Sequence, residues 1–333
     1  MSTSATRVRP ATIALVAAGL ILLAAMPALV NNYWLRIATG ALMWAGLACS
    51  WNMLGGYAGY INFGHSAFFG LGAYTTALLM VGLPGTPFVA TIPAGILVTA
   101  ACAFVIGAPT LKLRGAYFAI ATWAFAEVLM QFAGVVEFTG GVGGMSLPPF
   151  LNERFFYFFM LAAVVGIYLA TWALFEHSRF GLKVKALRDH EPAAEAMGIN
   201  TARIKLITFV LSAVTASVVG SIYAYWVTII TPKSVFGGDI TDQMVVMVLL
   251  GGLGTLWGPA LGGVLLFVIN RVIWMYWGDT AFYIAILGAA IILVVLFLPE
   301  GIMGLFGRRA GRTPVLGKIL GKIVGTDGAE GGR

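Results

Sequence analysis

Apolar runs of about twenty residues follow one another along most of this chain, and that is the length an α-helix needs to cross the hydrocarbon core of a bilayer. They fall at residues 11–30, 37–54, 66–82, 88–108, 115–136, 155–175, 206–230, 241–257, 260–277 and 281–298. Each run is continuously apolar, without the period-two alternation of a membrane β-barrel strand. The sequence therefore predicts an all-α, polytopic membrane helix bundle of about ten spans. Composition points the same way: of 333 residues, 60% are hydrophobic and 10% charged, with a mean hydropathy of +0.93. A soluble domain carries roughly 25% charged residues. This chain has too few charges for a water-soluble surface, which argues against a soluble enzyme, a nucleic-acid binder and a disordered chain.

The net charge of +7 is distributed by topology. With the N-terminus inside and ten spans, the inner segments are 1–10, 109–114, 176–205 and 299–333, and they hold sixteen of the twenty Lys and Arg residues. Arg36, Arg154, Lys233 and Arg271 are the rest. That asymmetry is the one the positive-inside rule requires, so both termini are expected in the cytoplasm. The first run follows Arg7 and Arg9 and ends at Met26-Pro27 without a clear A-x-A cleavage site, so it reads as an uncleaved first span. The organisation expected is a cytoplasmic N-terminus (1–10), a transmembrane domain (11–298) containing the loop 176–205, and a cytoplasmic basic tail (299–333). The tail carries Arg308, Arg309, Arg312, Lys318 and Lys322 among glycines and is expected to attract anionic membrane lipid.

Residues 37–111 contain no Asp, Glu, Lys or Arg, and within them lies Ser50-Trp51-Asn52-Met53-Leu54-Gly55-Gly56-Tyr57-Ala58-Gly59-Tyr60-Ile61-Asn62-Phe63-Gly64-His65-Ser66. Four glycines in ten positions break a helix, each costing about 1 kcal/mol relative to alanine. Irregular polar backbone at membrane depth is tolerated where it is buried in protein or lines a wet cavity. Asn52, Tyr57, Asn62 and His65 are therefore candidates for a solute path, with a tight turn and a neutral packing histidine as the alternatives. Glu127 lies near the middle of the run 115–136, on one helix face with Gln131. A carboxylate there is costly and should face the bundle interior or a cavity. After that run, Phe138-Thr139-Gly140-Gly141-Val142-Gly143-Gly144-Met145 reads as a flexible outer element, with Thr139 as a further path candidate.

Several chemistries find no support. The histidines His65, His177 and His190 and the cysteines Cys49 and Cys102 lack metal-ligand spacing, and the cysteines read as small packing residues. A G-x-x-x-x-G-K-[ST] phosphate loop is absent, so any ATP energy must come from a partner. In the loop 176–205, Glu191 fits an N-cap, Pro192 the first helical position and Gly198 a stop. The result is a very short helix with Ala193 and Met197 on one face, suited to a groove in another protein or to a solvated connector. Gly254, Gly258 and Gly262 fit either close helix approach or a tight hairpin around Pro259.

Glu191-Pro192-Ala193-Ala194-Glu195-Ala196-Met197-Gly198-Ile199 resembles the E-A-A…G cytoplasmic signature of ABC importer permeases, with Pro192 interrupting the literal motif. Asn52 to Gly59, Phe63 to Tyr74, Leu113 to Ile120 and Gly251 to Pro259 are similar, in order, to the LivM-like group of branched-chain amino-acid permeases. The resemblance covers about residues 50 to 300. It implies an ABC importer permease fold in the bacterial inner (plasma) membrane. It also implies a second related permease, two ABC ATPase subunits that use ATP and Mg, and a periplasmic solute-binding protein, with no cofactor on this chain. Arg188, Glu191, Ala193, Ala194, Glu195, Met197 and Gly198 would then couple the ATPases to the spans. The implied cargo is branched-chain or other hydrophobic amino acids, moved by alternating access. Related permeases take urea, short amides and other small amphipathic solutes. The segment after Thr139 departs from the family pattern by lacking a polar or acidic residue, which leaves the solute open. An ion-coupled secondary transporter using Glu127 or His65 is the alternative of a different class.

Overall fold

A computed structural model describes residues 10–277, 288 and 301–306. Its helices are α1 (Pro10–Leu29), α2 (Asn32–Asn52), α3 (His65–Gly82), α4 (Phe88–Thr110), α5 (Ala116–Val135), α6 (Glu153–Thr171), α7 (Arg179–Asp189), α8 (Glu191–Ala196), α9 (Thr201–Val227), α10 (Pro232–Phe236), α11 (Gly238–Gly251), α12 (Gly258–Trp277) and α13 (Gly301–Phe306). Short π-helical turns extend α2 over Met53–Tyr57 and α6 over Trp172–Glu176. Two antiparallel two-residue strands, β1 (Met145–Ser146) and β2 (Ile229–Ile230), complete the chain.

The first nine apolar runs all fall on helices. The run 281–298 apart from residue 288, the N-terminal nine residues and most of the tail 299–333 lie outside the described residues. Among the described residues, seven helical stretches are long and apolar enough to cross a membrane: 32–57, 88–110, 116–135, 153–176, 201–227, 232–251 and 258–275. Ala18–Leu29 is a shorter apolar helix, and α3 is not among the seven. The protein is thus an all-α, multi-pass membrane bundle for which ten is an approximate count. Several helices begin earlier than hydropathy alone places them, because polar caps carry them into the loops. Asn31 accepts from the Trp34 amide (3.1 Å) and Asn200 from the Arg203 amide (3.0 Å), so α2 and α9 each start about five residues upstream of the apolar run.

Helix α2 is the centre: 89% of its apolar window is buried, against 22% for α4 and for α5. Helices α6, α9, α11 and α12 pack against it, and α3, α4 and α9 join one another through small hydroxyl residues. Ser221 donates to the Gly72 carbonyl (3.1 Å), Thr99 to Ser217 (3.0 Å), and Thr76 pairs with Thr91 (3.1 Å). Such contacts replace the hydrophobic drive that lipid cannot supply between helices. Cys49 is a buried free thiol beside Thr171, and Cys102 is a half-buried free thiol.

Contacts sort the connections into two ends. At one, Arg36 meets Glu153 (2.6 Å), Trp226 donates to Glu153 (2.9 Å), and β1 pairs with β2. At the other, residues 52–60 meet 176–205 and 252–255, and Lys205 reaches the Leu111 carbonyl (3.2 Å). These are the groupings of a chain that crosses back and forth. Of the twelve described Lys and Arg residues, eight (Lys112, Arg114, Arg179, Lys183, Lys185, Arg188, Arg203, Lys205) lie at the second end, against Arg36, Arg154 and Lys233 at the first and Arg271 within α12.

Candidate functional site

The loop 176–205 is more ordered than one short helix. The Ser178 hydroxyl accepts from the Gly181 amide (3.2 Å) and starts α7, whose Val184 and Leu187 are buried while Leu182 and Lys183 face outward. One residue later His190 caps α8, its Nδ1 accepting from the Ala193 amide at 3.1 Å. The expected cap was Glu191 with Pro192 first in the helix. Instead Glu191 is the first helical residue and Pro192 the second, because the Glu191 carboxylate is drawn to Lys205, Tyr60 and Arg114. The helix stops where Gly198 takes φ +82°, a left-handed conformation that glycine adopts without strain, and its amide reaches the Glu195 carbonyl (2.9 Å). Ala194 is buried, whereas Ala193, Glu195, Ala196 and Met197 are exposed, Met197 by 71%. The Thr201 hydroxyl donates to Glu195 (2.5 Å) and ties α8 to α9.

Two similar clusters bind this helical pair to the spans. In one, Lys205 is only 6% exposed and spends its ammonium on Glu191 Oε1 (2.8 Å), the Tyr60 oxygen (3.2 Å) and the Leu111 carbonyl. Tyr60 donates to Glu191 Oε2 (2.8 Å) and Arg114 stands 3.4 Å from Glu191. In the other, Tyr57 donates to Glu176 Oε1 (2.8 Å), and Lys185 meets Glu176 Oε2 (2.7 Å). Each lysine also lies over the ring of its tyrosine, at 5.2 Å for Lys205 and 5.8 Å for Lys185. Burial works against ionisation of Glu191, but the hydrogen bonds from Lys205 and Tyr60 and the charges of Lys205 and Arg114 outweigh it, holding its pKa below the ordinary value. Burial, then Glu191, pushes the Tyr60 phenol well up, so it remains a donor. Between the clusters, exposed Arg188 lies against Gly59 and Gly254. Gly254 has φ +72°, and a side chain there would collide with the Arg188 guanidinium.

Most of the glycine-rich break is buried, with Gly59 and Ile61 exposed, and its polar side chains find partners within the chain. The Ala58 and Tyr60 amides both reach the Leu54 carbonyl (3.2 Å each). Asn52 bridges to the loop after α11, donating to the Thr255 carbonyl and accepting from the Gly254 amide, both at 2.9 Å. Asn62 accepts from the Gly64 amide (2.8 Å) through its side chain and from the Trp51 indole (2.8 Å) through its carbonyl. The Ser50 hydroxyl donates to the Leu47 carbonyl (2.7 Å), so it accepts from His65 Nε2 (2.9 Å), leaving Nδ1 toward the Asn62 amide (3.4 Å). His65 is thereby a neutral imidazole at the start of α3. Asn52, Tyr57, Asn62 and His65, singled out as path candidates, are all buried and engaged within the chain.

Glu127 and Thr139 lie elsewhere. Glu127 is half-buried and accepts from Gln131 (2.8 Å) on the same face of α5, as the spacing predicts. That face points out of this chain's own bundle, with Trp123, Val128 and Phe132 exposed beside it, so Glu127 is not in the bundle interior. Thr139 is buried and donates to the Ala133 (2.8 Å) and Val136 (2.6 Å) carbonyls, capping the end of α5. The outer loop expected to be flexible is folded. Two 3₁₀ turns, Glu137–Thr139 and Gly141–Gly143, bring β1 onto β2, with Met145 opposite Ile230.

Sequence reasoning passed over Tyr60, Lys205, Glu176 and Lys185 as functional residues. A signal existed for Lys205: a lysine in the first turns of a membrane helix must find a carboxylate or carbonyl. Glu176 and Lys185 looked like ordinary loop charges, and only folding brings them to Tyr57. Among the described residues no group of three or more His, Cys, Asp or Glu side chains is placed to hold a metal ion.

Residues 33–296 match the protein family described as the permease component of the branched-chain amino acid transport system. The chain is similar to the high-affinity branched-chain amino acid transport system permease protein LivM of Salmonella typhimurium, 29% identical over 315 residues that cover 85% of this chain and 73% of the relative. It is similar to the permease BraD of Pseudomonas aeruginosa, 27% identical over 78% of this chain and 90% of that one. A probable LivM of Methanocaldococcus jannaschii is 27% identical over 70% of this chain and 79% of its own. No solved structure matches.

Proposed function

This chain belongs to the branched-chain amino acid transport system permease family, and we propose that it is one membrane-spanning subunit of an ATP-driven ABC importer for branched-chain or other hydrophobic amino acids. The observation that carries this reading is the α7–α8 pair: a short helix fastened to the bundle by buried charge, with Ala193 and Met197 left uncovered. A six-residue helix is not stable by itself. One anchored this firmly, with small apolar side chains outward, is built to receive a load from another protein. In this proposal the load is closure of two partner ATPases that use ATP and Mg, and rocking of the bundle alternates access to the solute.

The same reading gives the α7–α8 end as cytoplasmic in a bacterial inner membrane, supported by the excess of basic residues there. It also assigns a partner to α5. A carboxylate facing lipid near mid-membrane is costly, so the Glu127–Gln131 face belongs against a second, related permease, where a wet solute path between the two would solvate it. A periplasmic solute-binding protein would deliver the cargo to the opposite end.

Mild-detergent purification of this chain from its native membranes, with mass-spectrometric identification of what accompanies it, tests the proposal. The expected companions are an ATPase with a phosphate-binding loop and a second glycine-rich permease. Recovery of the chain alone, while crosslinking controls succeed, would overturn it.

A further inference from the structure

Taking the importer reading as its basis, we propose that residues 57–60 are the element through which movement of α7 and α8 reaches the centre of the bundle, with Tyr57 and Tyr60 as positioning residues. Three attachments converge on these four residues. Tyr57 is held by Glu176 (2.8 Å) just before α7, and Tyr60 by Glu191 (2.8 Å) at the start of α8. Arg188, at the end of α7, lies against Gly59 between them. The helical pair therefore meets the segment at both its ends and its middle, α7 reaching Tyr57 through Lys185, which pairs with Glu176 (2.7 Å) and lies over the Tyr57 ring (5.8 Å). Lys205 and Thr201 in the first two turns of α9, Arg114 before α5 and Gly254 after α11 also meet α7 and α8.

The segment is suited to pass a displacement on. Upstream it continues without interruption through Met53–Tyr57 into α2, the central helix. Downstream it leads through Asn62 to His65 and Ser66, where α3 begins and where Ser66 holds the α10–α11 junction through Phe236 (2.9 Å) and Thr241 (2.9 Å). Its own backbone is a π turn and an irregular stretch, so no helical ladder resists a change of angle there. An open cavity of about 580 Å³ beside Gly59, Tyr60, Ile61 and Phe63 gives it room, which a close-packed interior does not offer. A movement of α8 thus has a short route, by hydrogen bonds and by continuity of the chain, to α2, α3 and α11. The glycines and tyrosines of the break are explained by this role without any contact to solute.

The test uses the assembled importer, with its second permease and ATPases, in proteoliposomes supplied with the solute-binding protein. Uptake of radiolabelled leucine and ATP hydrolysis are measured together, and solute moved per ATP is compared. The double variant Tyr57→Phe/Tyr60→Phe removes two hydroxyls and little volume. Tyr157→Phe is the control: it removes an equally buried hydroxyl, bonded to the Leu23 carbonyl (2.7 Å), far from the break. The proposal expects the double variant to keep its ATPases and its hydrolysis while leucine moved per ATP falls roughly tenfold, within the usual range of coupling between two sites in one protein. The control keeps the wild-type ratio. If the double variant does not assemble, the single variants are read in the same way, and Glu176→Gln, which keeps an acceptor for Tyr57, should hold the wild-type ratio. An unchanged ratio in the tyrosine variants, or uptake and hydrolysis falling by one common factor, would overturn the proposal. Wild-type assemblies that take up leucine without hydrolysing ATP would instead overturn the importer reading beneath it.

Discussion

Lys205 is a cation that folding has removed from water, and the residues around it show what that requires. Its three donors meet a carboxylate, a phenol and a backbone carbonyl, leaving no unspent charge. A buried pair of this kind adds little net stability by itself, but breaking it strands the survivor at a cost of about 3–5 kcal/mol. The Lys185–Glu176 pair is chemically alike, yet its side chains are 41% and 29% exposed, so solvent screens it and its loss should cost less than about 1 kcal/mol. Lys205→Met is therefore expected to lower thermal stability of the purified protein much more than Lys185→Met, as measured by unfolding at neutral pH. The penalty has a pH signature. Glu191, whose folded pKa is depressed, contributes stability that is fully present above its unfolded value of about 4.3 and is lost as pH falls through the folded value. The gap between wild type and Lys205→Met should thus shrink in acid below that range. A gap that widens there would show that Glu191 is not the stranded partner.

At the scale of an element, α8 separates residues that sequence proximity had placed in one group. Ala193, Ala194 and Met197 all belong to the motif, although helical spacing already sets Ala193 and Met197 on one face. In the fold Ala194 is inward and Ala193 and Met197 outward, so they test different things. Met197→Asp or Ala193→Arg should leave the membrane level of the chain unchanged and cut copurifying ATPase roughly tenfold, the effect of losing about 1.4 kcal/mol of contact. Ala194→Leu should lower the amount of folded chain itself, because the enlarged side chain has nowhere to go in a packed site. Quantitative blotting of both proteins distinguishes the two outcomes, and equal ATPase recovery with all three variants would remove α8 as the docking element. The short helix was legible from Pro192 and Gly198. Helix α7 was equally present in the spacing of Phe180, Val184 and Leu187, but its charged residues made it read as loop.

At the scale of the whole molecule, the two ends of the bundle differ in charge and in construction. One is joined by a small β ladder and the Arg36–Glu153–Trp226 contacts, and the other carries α7, α8 and eight basic residues. Opposite membrane faces follow. Val142→Cys, 82% exposed at the first end, should react with an impermeant maleimide in intact spheroplasts. Leu182→Cys, 68% exposed in α7, should react only after permeabilisation. The reverse pattern would invert the orientation and remove the α7–α8 end from the cytoplasm.

Hydropathy and charge along the chain suffice to show a polytopic helical membrane protein, where nine of its helical runs lie, and which loops carry the basic charge. Those properties come from local hydropathy and from the electrostatics of insertion, both of which act residue by residue along the chain. The sequence also carried the permease motif. What the polar residues of the glycine-rich break touch came from the packed fold. Asn52, Tyr57, Asn62 and His65 have the chemistry of a solute path and equally of an internal network, and composition does not distinguish the two. Their partners are Thr255, Glu176, Trp51 and Ser50, two of them more than a hundred residues away. A buried hydrogen bond is a property of two positions in space, and separation along the chain says nothing about it until the helices have packed.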